Sequence, residues 1–243
     1  MKKLFVLLAL LTGLQNFALA AGTDTVITVR FFAADGLEVT ADLYHVSETS
    51  PVMILCHQYG WSRGEYIQIA RKFNGLGYNC IAVDLRAGRQ VNRVVNKTAQ
   101  TARSKGISTE RLDARKDIEA AINFANSRYK RNVILLGSSY SATLVLMVAK
   151  ENPLVERVIA FSPGEHYRGM SVKGAITGLD KPTFLTSSKR EAAGVSRLYS
   201  AIGTPEKVQF IPSRPGYHAA KALWPSHRGN EEYWAALRSF LGK

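Results

Sequence analysis

A serine, a histidine and a carboxylate, far apart in the chain, have the residue types and settings needed to turn a hydroxyl into a nucleophile toward a carbonyl carbon. The serine stands in Gly137-Ser138-Ser139-Tyr140-Ser141, after the apolar run Val133-Ile134-Leu135-Leu136 and before the helix-like Ala142-Thr143-Leu144-Val145-Leu146-Met147. A strand that reverses abruptly into a helix exposes the residue at the bend, and small neighbours leave room for the reversal. The stretch fits G-x-S-x-G at every position but the last, where Ser141 replaces glycine, so Ser139 is the candidate nucleophile and Ser138, one residue before the apex, its rival. A serine hydroxyl attacks poorly until a base takes its proton. Of the five histidines, His218 in Pro215-Gly216-Tyr217-His218-Ala219 follows a late strand-like run and is the candidate base. His45 falls in an early strand, His57 in a turn, and His166 and His227 in less constrained loops.

A carboxylate is then required to hold the imidazole in the useful tautomer. Glu191 follows the strand-like Thr183-Phe184-Leu185-Thr186 and takes that position; Asp180 precedes the same run and lies at its wrong end. Asp84, after Cys80-Ile81-Ala82-Val83, is the rival orienter, or else fixes its own loop by accepting backbone amides. Negative charge developing on the substrate needs donors aimed at it. The amides of Tyr140 and Tyr59 are expected to supply them, with that of Gln58 as the alternative to Tyr59. His57 either braces this turn or is a buried structural residue. His57, Gln58, Trp61, Arg89, Asn92 and Asn96 are the expected pocket residues, with Tyr59, Trp61 and Tyr140 as aromatic walls.

The elements that must bring these residues together can be read from periodicity. Two β-rich segments, 25–35 and 37–46, flank Asp35-Gly36, a hairpin signal. Strand-like runs then alternate with helical ones: 51–57, a helix over 64–77, 79–84, a helix over 110–127 capped by Ser108 or Thr109, 132–137, a helix from Tyr140 to Asn152, 155–163 and 182–187. A short helix over 194–203, a strand over 207–213 and a terminal helix, with Tyr233, Leu237 and Phe240 on one side, complete the chain. Residues 85–109 form a long excursion with short helical pieces. Such alternation predicts an α/β fold: a mostly parallel central sheet with helices on both faces and an antiparallel N-terminal hairpin. Ligands in these folds gather outside the carboxyl ends of the strands, where His57, Asp84, Ser139, Glu191 and His218 all fall.

Composition narrows the setting. Lys2 and Lys3, an apolar run and Ala18-Leu19-Ala20 mark residues 1–20 as a signal peptide cleaved before Ala21, which predicts export to a bacterial periplasm or beyond. The apolar run is shorter than the ~20 residues needed to span a bilayer. Residues 21–243 are then expected to form one domain without a large cap; nothing in the sequence specifies its oligomeric state. The charge of +13, from 32 basic and 19 acidic residues, is spread among apolar segments. No basic stripe with interleaved aromatics speaks for specific nucleic-acid binding, and the excess is read mainly as a solubility and surface property, with a bias toward substrates of some acidic character for which Arg89 is the expected contact, solvent-facing arginines being the alternative. Cys56 and Cys80 sit at the end of one strand-like run and the start of the next, too far apart to bond, and are expected to be buried free thiols.

The segments HQYGWSRGEY, AVDLRAGR, GSSYS and GYHAAKALW together resemble those of the α/β-hydrolase superfamily, most closely the bacterial branch similar to dienelactone hydrolases. The resemblance implies Ser139 as nucleophile and His218 as base, and it maps the family's usual aspartate onto Glu191. Ala219 stands where glycine commonly follows the histidine. Unlike dienelactone hydrolase itself, the nucleophile is serine rather than cysteine. The implied activity is that of a serine hydrolase, carboxylesterase-like, cleaving a small ester or related acyl substrate through an acyl-enzyme, without metal or organic cofactor. An amidase or peptidase using the same three residues, and a noncatalytic exported binding protein on the same scaffold, are the alternatives.

Overall fold

The structure, a computed structural model, describes residues 26–243. The segment read as a signal peptide lies outside the described residues. Strands β1 (Val26–Phe32) and β2 (Glu38–Tyr44) form the expected antiparallel hairpin. Next in chain order come β3 (Val52–Cys56), α1 (Ile67–Gly75), β4 (Asn79–Val83), the two-residue strands β5 (Gln90–Val91) and β6 (Val94–Val95), α2 (Lys97–Ser104) and α3 (Ala114–Tyr129). The second half holds β7 (Val133–Ser138), α4 (Tyr140–Glu151), β8 (Val155–Phe161), α5 (Val172–Ile176), β9 (Thr183–Thr186), α6 (Ala192–Tyr199), β10 (Lys207–Phe210) and α7 (Asn230–Leu241). The main sheet runs β1-β2-β4-β3-β7-β8-β9-β10, and every pairing from β4 to β10 is parallel.

The three central strands β3, β4 and β7 are buried at every residue, as parallel strands covered on both faces must be. Their side chains still alternate. Val52, Ile54, Cys56, Ile81, Val83, Val133 and Leu135 enter the core shared with α3 to α6, whereas Met53, Leu55, Cys80, Ala82, Ile134 and Leu136 enter the one shared with α1 and α7. Cys56 and Cys80 therefore project from opposite faces of the sheet, which is why both are free.

Several element boundaries differ from the sequence expectation, among them the helix expected over 194–203, which is α6 at 192–199, and the strand expected over 207–213, which ends at Phe210; two of the differences have a visible cause. The helix expected over 110–127 starts at Ala114, because the Ser108 hydroxyl accepts the Glu110 amide (3.2 Å) and donates to Asp113 (2.6 Å), closing a turn rather than capping a helix. The helix expected from residue 64 begins as a 3-10 turn, Arg63–Tyr66, capped by the Ser62 hydroxyl, before α1 takes over. Among the described residues, no helix is long and apolar enough to cross a membrane.

One buried cation ties three separate segments together. The Arg86 side chain, fully buried after β4, reaches Asp35 in the β1–β2 turn (2.6 Å) and Asp117 in α3 (2.7 Å), while its own amide donates to Asp117 (2.8 Å). Its hydrogen bond holds the Asp35 carboxyl down at about 2. Removing one member of a buried pair strands the other charge, a loss of about 3–5 kcal/mol, whereas partly exposed pairs contribute about 1 kcal/mol or less. Asp117→Ala is therefore expected to lower the urea midpoint far more than Asp35→Ala, whose carboxylate keeps access to water. Equal shifts would contradict this ranking.

Candidate active site

At the end of β7 the chain bends at Ser139, whose backbone lies at φ 59°, ψ −118°, and α4 begins with the next residue. The bend leaves no room behind it: a Cβ on Gly137 would meet the Ser141 carbonyl oxygen at 2.5 Å and the Ala142 amide nitrogen at 2.7 Å. Ser141, the departure from the five-residue pattern, is fully used. Its hydroxyl accepts the Ser138 amide (2.9 Å) and donates to the Cys56 carbonyl (2.8 Å), which clamps the bend to the end of β3.

The bend presents the Ser139 hydroxyl to His218, with Oγ and Nε2 2.9 Å apart; Nδ1 lies 2.5 Å from Glu191 Oε1. Glu191 closes a 3-10 turn after β9, and its Oε2 accepts the Ser188 hydroxyl (2.6 Å), the Ser188 amide (3.1 Å) and the Ser162 hydroxyl (3.1 Å). Burial alone would raise the Glu191 carboxyl, but the hydrogen bonds from His218, Ser188 and Ser162 outweigh it and hold it at about 2. An ionised Glu191 can only accept, so the imidazole carries its proton on Nδ1 and leaves Nε2 free to accept the serine proton. Ser162 also receives the Ala219 amide on its hydroxyl (2.9 Å), fixing the histidine loop from below.

Beside this chain of bonds lie two amides with no acceptor among the described residues, those of Tyr59 and Tyr140. The Tyr140 amide is free because it opens the first turn of α4. The Gln58 amide is not available for that role: it donates to Glu65 Oε2 at 2.8 Å. Ser138 is no rival to Ser139 either, since its hydroxyl is buried, donates to Glu65 Oε1 (2.7 Å) and accepts the Ala220 amide (3.0 Å).

Several expected pocket residues serve the scaffold instead. His57 is wholly buried; its Nε2 accepts the Leu85 amide (2.9 Å), so Nδ1 donates to the Gln58 carbonyl (2.8 Å), and burial pushes the ring down to about 4. Asn96 is buried as well, capping α2 through the Ala99 amide and donating to the Leu85 carbonyl, each at 2.8 Å. Asn92 donates to the Gly64 carbonyl (2.9 Å) and borders a separate depression with Trp224. Trp61 stacks on Trp224 at 5.3 Å, and the Tyr140 ring is buried beneath the exposed Tyr59 ring, edge to face at 6.2 Å. Arg89 lines a cavity of about 180 Å3 together with Tyr59 and Arg103. Asp84 binds Arg63 (2.6 Å) and the amides of Arg63 (2.8 Å) and Lys97 (2.7 Å), and it makes no bond to His218. It takes the loop-fixing role. Among the described residues, no group of three or more His, Cys, Asp or Glu side chains is placed to hold a metal ion.

Glu65 is the functional residue that sequence reasoning passed over. It is 1% exposed, yet it joins the turn after β3, through Gln58, to the serine bend, through Ser138, and from there to the histidine loop at Ala220. Burial raises its carboxyl to about 7, against the hydrogen bonds from Ser138 and Gln58. The signal was present in the helical register: Glu65 precedes Ile69 and Phe73 by four and eight residues, on the face those two bury. Ser162 and Ser188 were also missed, and they carry no distinguishing pattern.

The model of the Dienelactone hydrolase family matches residues 41–183. No match was found among the curated proteins. Among solved structures, an esterase of Pyrococcus furiosus is similar at 16% identity and a TM-score of 0.72, covering 90% of each chain. A dienelactone hydrolase of Anabaena variabilis is similar at 14% identity and a TM-score of 0.69, covering 90% of this chain and 97% of its own. The esterase domain of a Rhodothermus marinus protein follows at 16% identity and a TM-score of 0.61, covering 88% and 98%. At such identities the likeness is one of fold.

The raised carboxyl of Glu65 has a sign that can be tested. Its folded value, about 7, exceeds the ordinary 4.5, so between the two the folded chain keeps a proton that the unfolded chain has released. That contribution to stability is complete below pH 4.5 and fades as pH rises through about 7. Glu65→Gln cannot titrate, so the wild-type urea midpoint is expected to decline relative to the variant's across this window. A constant difference would show that Glu65 titrates normally.

Proposed function

The chain belongs to the dienelactone hydrolase family, and we propose that within it this protein is a serine hydrolase of small carboxylic esters that works through an acyl-enzyme. The observation that carries the reading is the unbroken hydrogen-bonded line from the Ser139 hydroxyl through His218 to an ionised Glu191, lying beside two unengaged amides.

In the proposed reaction His218 Nε2 takes the Ser139 proton as Oγ bonds to the carbonyl carbon. Glu191 steadies the imidazolium, and the carbonyl oxygen gathers negative charge between the Tyr59 and Tyr140 amides. Preorganised donors of this kind contribute about 2.7–4 kcal/mol each to the barrier. Collapse breaks the bond to the alcohol oxygen, which leaves with the proton from Nε2. Water then adds to the acyl-enzyme by the same steps, its proton passing to His218 and on to Ser139, and the acid is released. The reading of residues 1–20 as an export signal supports a place of action in the periplasm or outside the cell.

A fluorophosphonate probe tests the nucleophile. Labelling is expected to vanish in Ser139→Ala and to persist in Ser138→Ala; folded wild-type protein that takes no label would overturn the proposal. Glu191→Gln should retain the fold and lose roughly ten-thousand-fold in kcat on a small ester, as happens when the orienting carboxylate of such a triad becomes an amide. Expressed from the full sequence in a bacterium, the protein should be recovered from the periplasmic fraction or the medium beginning at Ala21, as read by N-terminal sequencing. Retention of Met1 on cytoplasmic protein would refute the export reading.

A further inference from the structure

We propose that Glu65 is a positioning residue of the reaction: its carboxylate, in the ionised form, holds the Tyr59 amide, the Ser139 bend and the His218 loop in register from beneath, and turnover requires that form. The inference deepens the esterase reading and rests on it.

The Tyr59 amide has to be aimed, and little on its own residue can aim it. The Tyr59 side chain is 62% exposed, and Gly60 follows it at φ 77°. The direction is set instead by the two peptide planes that meet at Gln58, since each plane turns as a unit. The plane that carries the Tyr59 N–H is held through the Gln58 carbonyl, which accepts His57 Nδ1 (2.8 Å) and the Trp61 amide (3.2 Å). The plane before it is held through the Gln58 amide, and that bond goes to Glu65 Oε2 (2.8 Å). Glu65 Oε1 accepts the hydroxyl of Ser138 (2.7 Å), next to the nucleophile, and Ser138 Oγ accepts the amide of Ala220 (3.0 Å), two residues past the base. The Glu65 backbone is fixed as well: its amide donates to the Ser62 carbonyl (3.0 Å), and its carbonyl accepts Trp224 Nε1 from the histidine loop (2.9 Å). Buried as it is, the carboxyl acts on the substrate only through these segments.

Donor and acceptor roles select the ionised form. The Gln58 and Ala220 amides can only donate, so Ser138 Oγ accepts from Ala220 and directs its own hydrogen to Glu65, and both carboxylate oxygens are acceptors. A proton on Oε2 would oppose the Gln58 N–H, and one on Oε1 would turn the Ser138 hydroxyl away. The titratable groups facing Glu65 are the Cys56 thiol from β3, the Tyr66 phenol beside it, the Tyr140 phenol from α4, and His218 and Lys221 from the histidine loop. Burial pushes the thiol and both phenols up, so they stay neutral near pH 7, and the two cations act on Glu65 without a bond to it. The carboxyl itself is raised to about 7, so the arrangement is complete above that pH and lost as pH falls through it. The stability contribution of Glu65 runs the other way, which separates a role in turnover from a role in the fold.

The test follows hydrolysis of 4-nitrophenyl acetate from pH 5 to 8.5, with a trifluoromethyl ketone as analogue of the oxyanion. In the wild type kcat/KM is expected to fall toward acid with two protonations, those of His218 and Glu65, approaching about a hundredfold per pH unit; Glu65→Gln should show one, about tenfold per unit. At pH 8 the variant is expected to lose about a hundredfold in kcat, the scale of one oxyanion donor, with KM little changed, and to bind the ketone more weakly by a similar factor. A wild-type acid limb with a single protonation would overturn the proposal, and it decides the matter even if Glu65→Gln does not fold. A second protonation that persists in the variant, an unchanged kcat, a loss confined to KM, or undiminished binding of the ketone would also overturn it, while the esterase reading stands so long as Ser139 labels. Absence of labelling and of all ester cleavage by the wild type would instead refute the esterase reading, and this inference with it.

Discussion

The site depends on holding a non-glycine residue where its backbone does not rest by itself. Ser139 sits at φ 59°, ψ −118°, and a conformation of this kind costs about 1–3 kcal/mol, persisting only when its surroundings leave no alternative. They leave none here. The Ser139 amide donates to the Phe161 carbonyl at the end of β8 (2.8 Å), Ser141 fastens the next turn to Cys56 at the end of β3, and Gly137 is packed against the backbone of α4. Neighbouring strands thus grip the bend from both sides, and the free Tyr140 amide is a by-product of the same geometry.

Two further strained residues stand close by. Ser162 (φ 55°) and Ala219 (φ 66°) are bonded to each other through the Ser162 hydroxyl and the Ala219 amide, and Ser162 also supports Glu191. The positive φ at Ala219 explains why glycine is the easier residue after the histidine: a side chain there has to be held against its preference. Strain at Ser139, Ser162 and Ala219 therefore lies under the nucleophile, under the acid and behind the base, each relieved by hydrogen bonds to the other two segments. The three segments are far apart in sequence, so none of these conformations could persist before the sheet has formed.

The strands, their order along the chain and the residues meeting at their ends were legible because each rests on a strong local signal. Apolar runs such as Val133-Ile134-Leu135-Leu136 demand burial on both faces, and the spacing around Ser139 demands a sharp reversal. What could not be read was the direction in which a polar side chain turns once its backbone is in place. His57 and Asn96 stand at a strand end and in a loop, where pocket residues are found, yet both turn inward, because the amide and carbonyl of Leu85 would otherwise be buried without partners. Glu65 presents the opposite case, a charge in a helical stretch, one of whose two partners, Ser138 at the end of β7, lies 73 residues away. Local patterns carry no information about partners at that separation.

Sheet order explains why the carboxylates of this region behave so differently. Along the carboxyl edge of β4, β3, β7, β8 and β9 stand, in turn, Asp84, the turn bearing the Tyr59 amide, Ser139, Ser162 and Glu191. Asp84 and Glu191 each lie two strand spacings from Ser139, about 10 Å, on opposite sides. Distance therefore does not decide between them; the position of the imidazole does. The loop after β10 enters from the β9 side, so His218 lies over the end of β8 and bridges Ser139 to Glu191, while on the other flank the Tyr59 turn stands between Asp84 and the serine. Ionisation follows the same division. Glu191, half-buried and receiving donors from His218, Ser188 and Ser162, remains charged down to about pH 2, whereas burial raises Asp84 to about 6 even with Arg63 beside it. Near neutral pH the carboxylate best supplied with donors is the one that faces the imidazole, and that is the one whose charge fixes the proton on Nδ1.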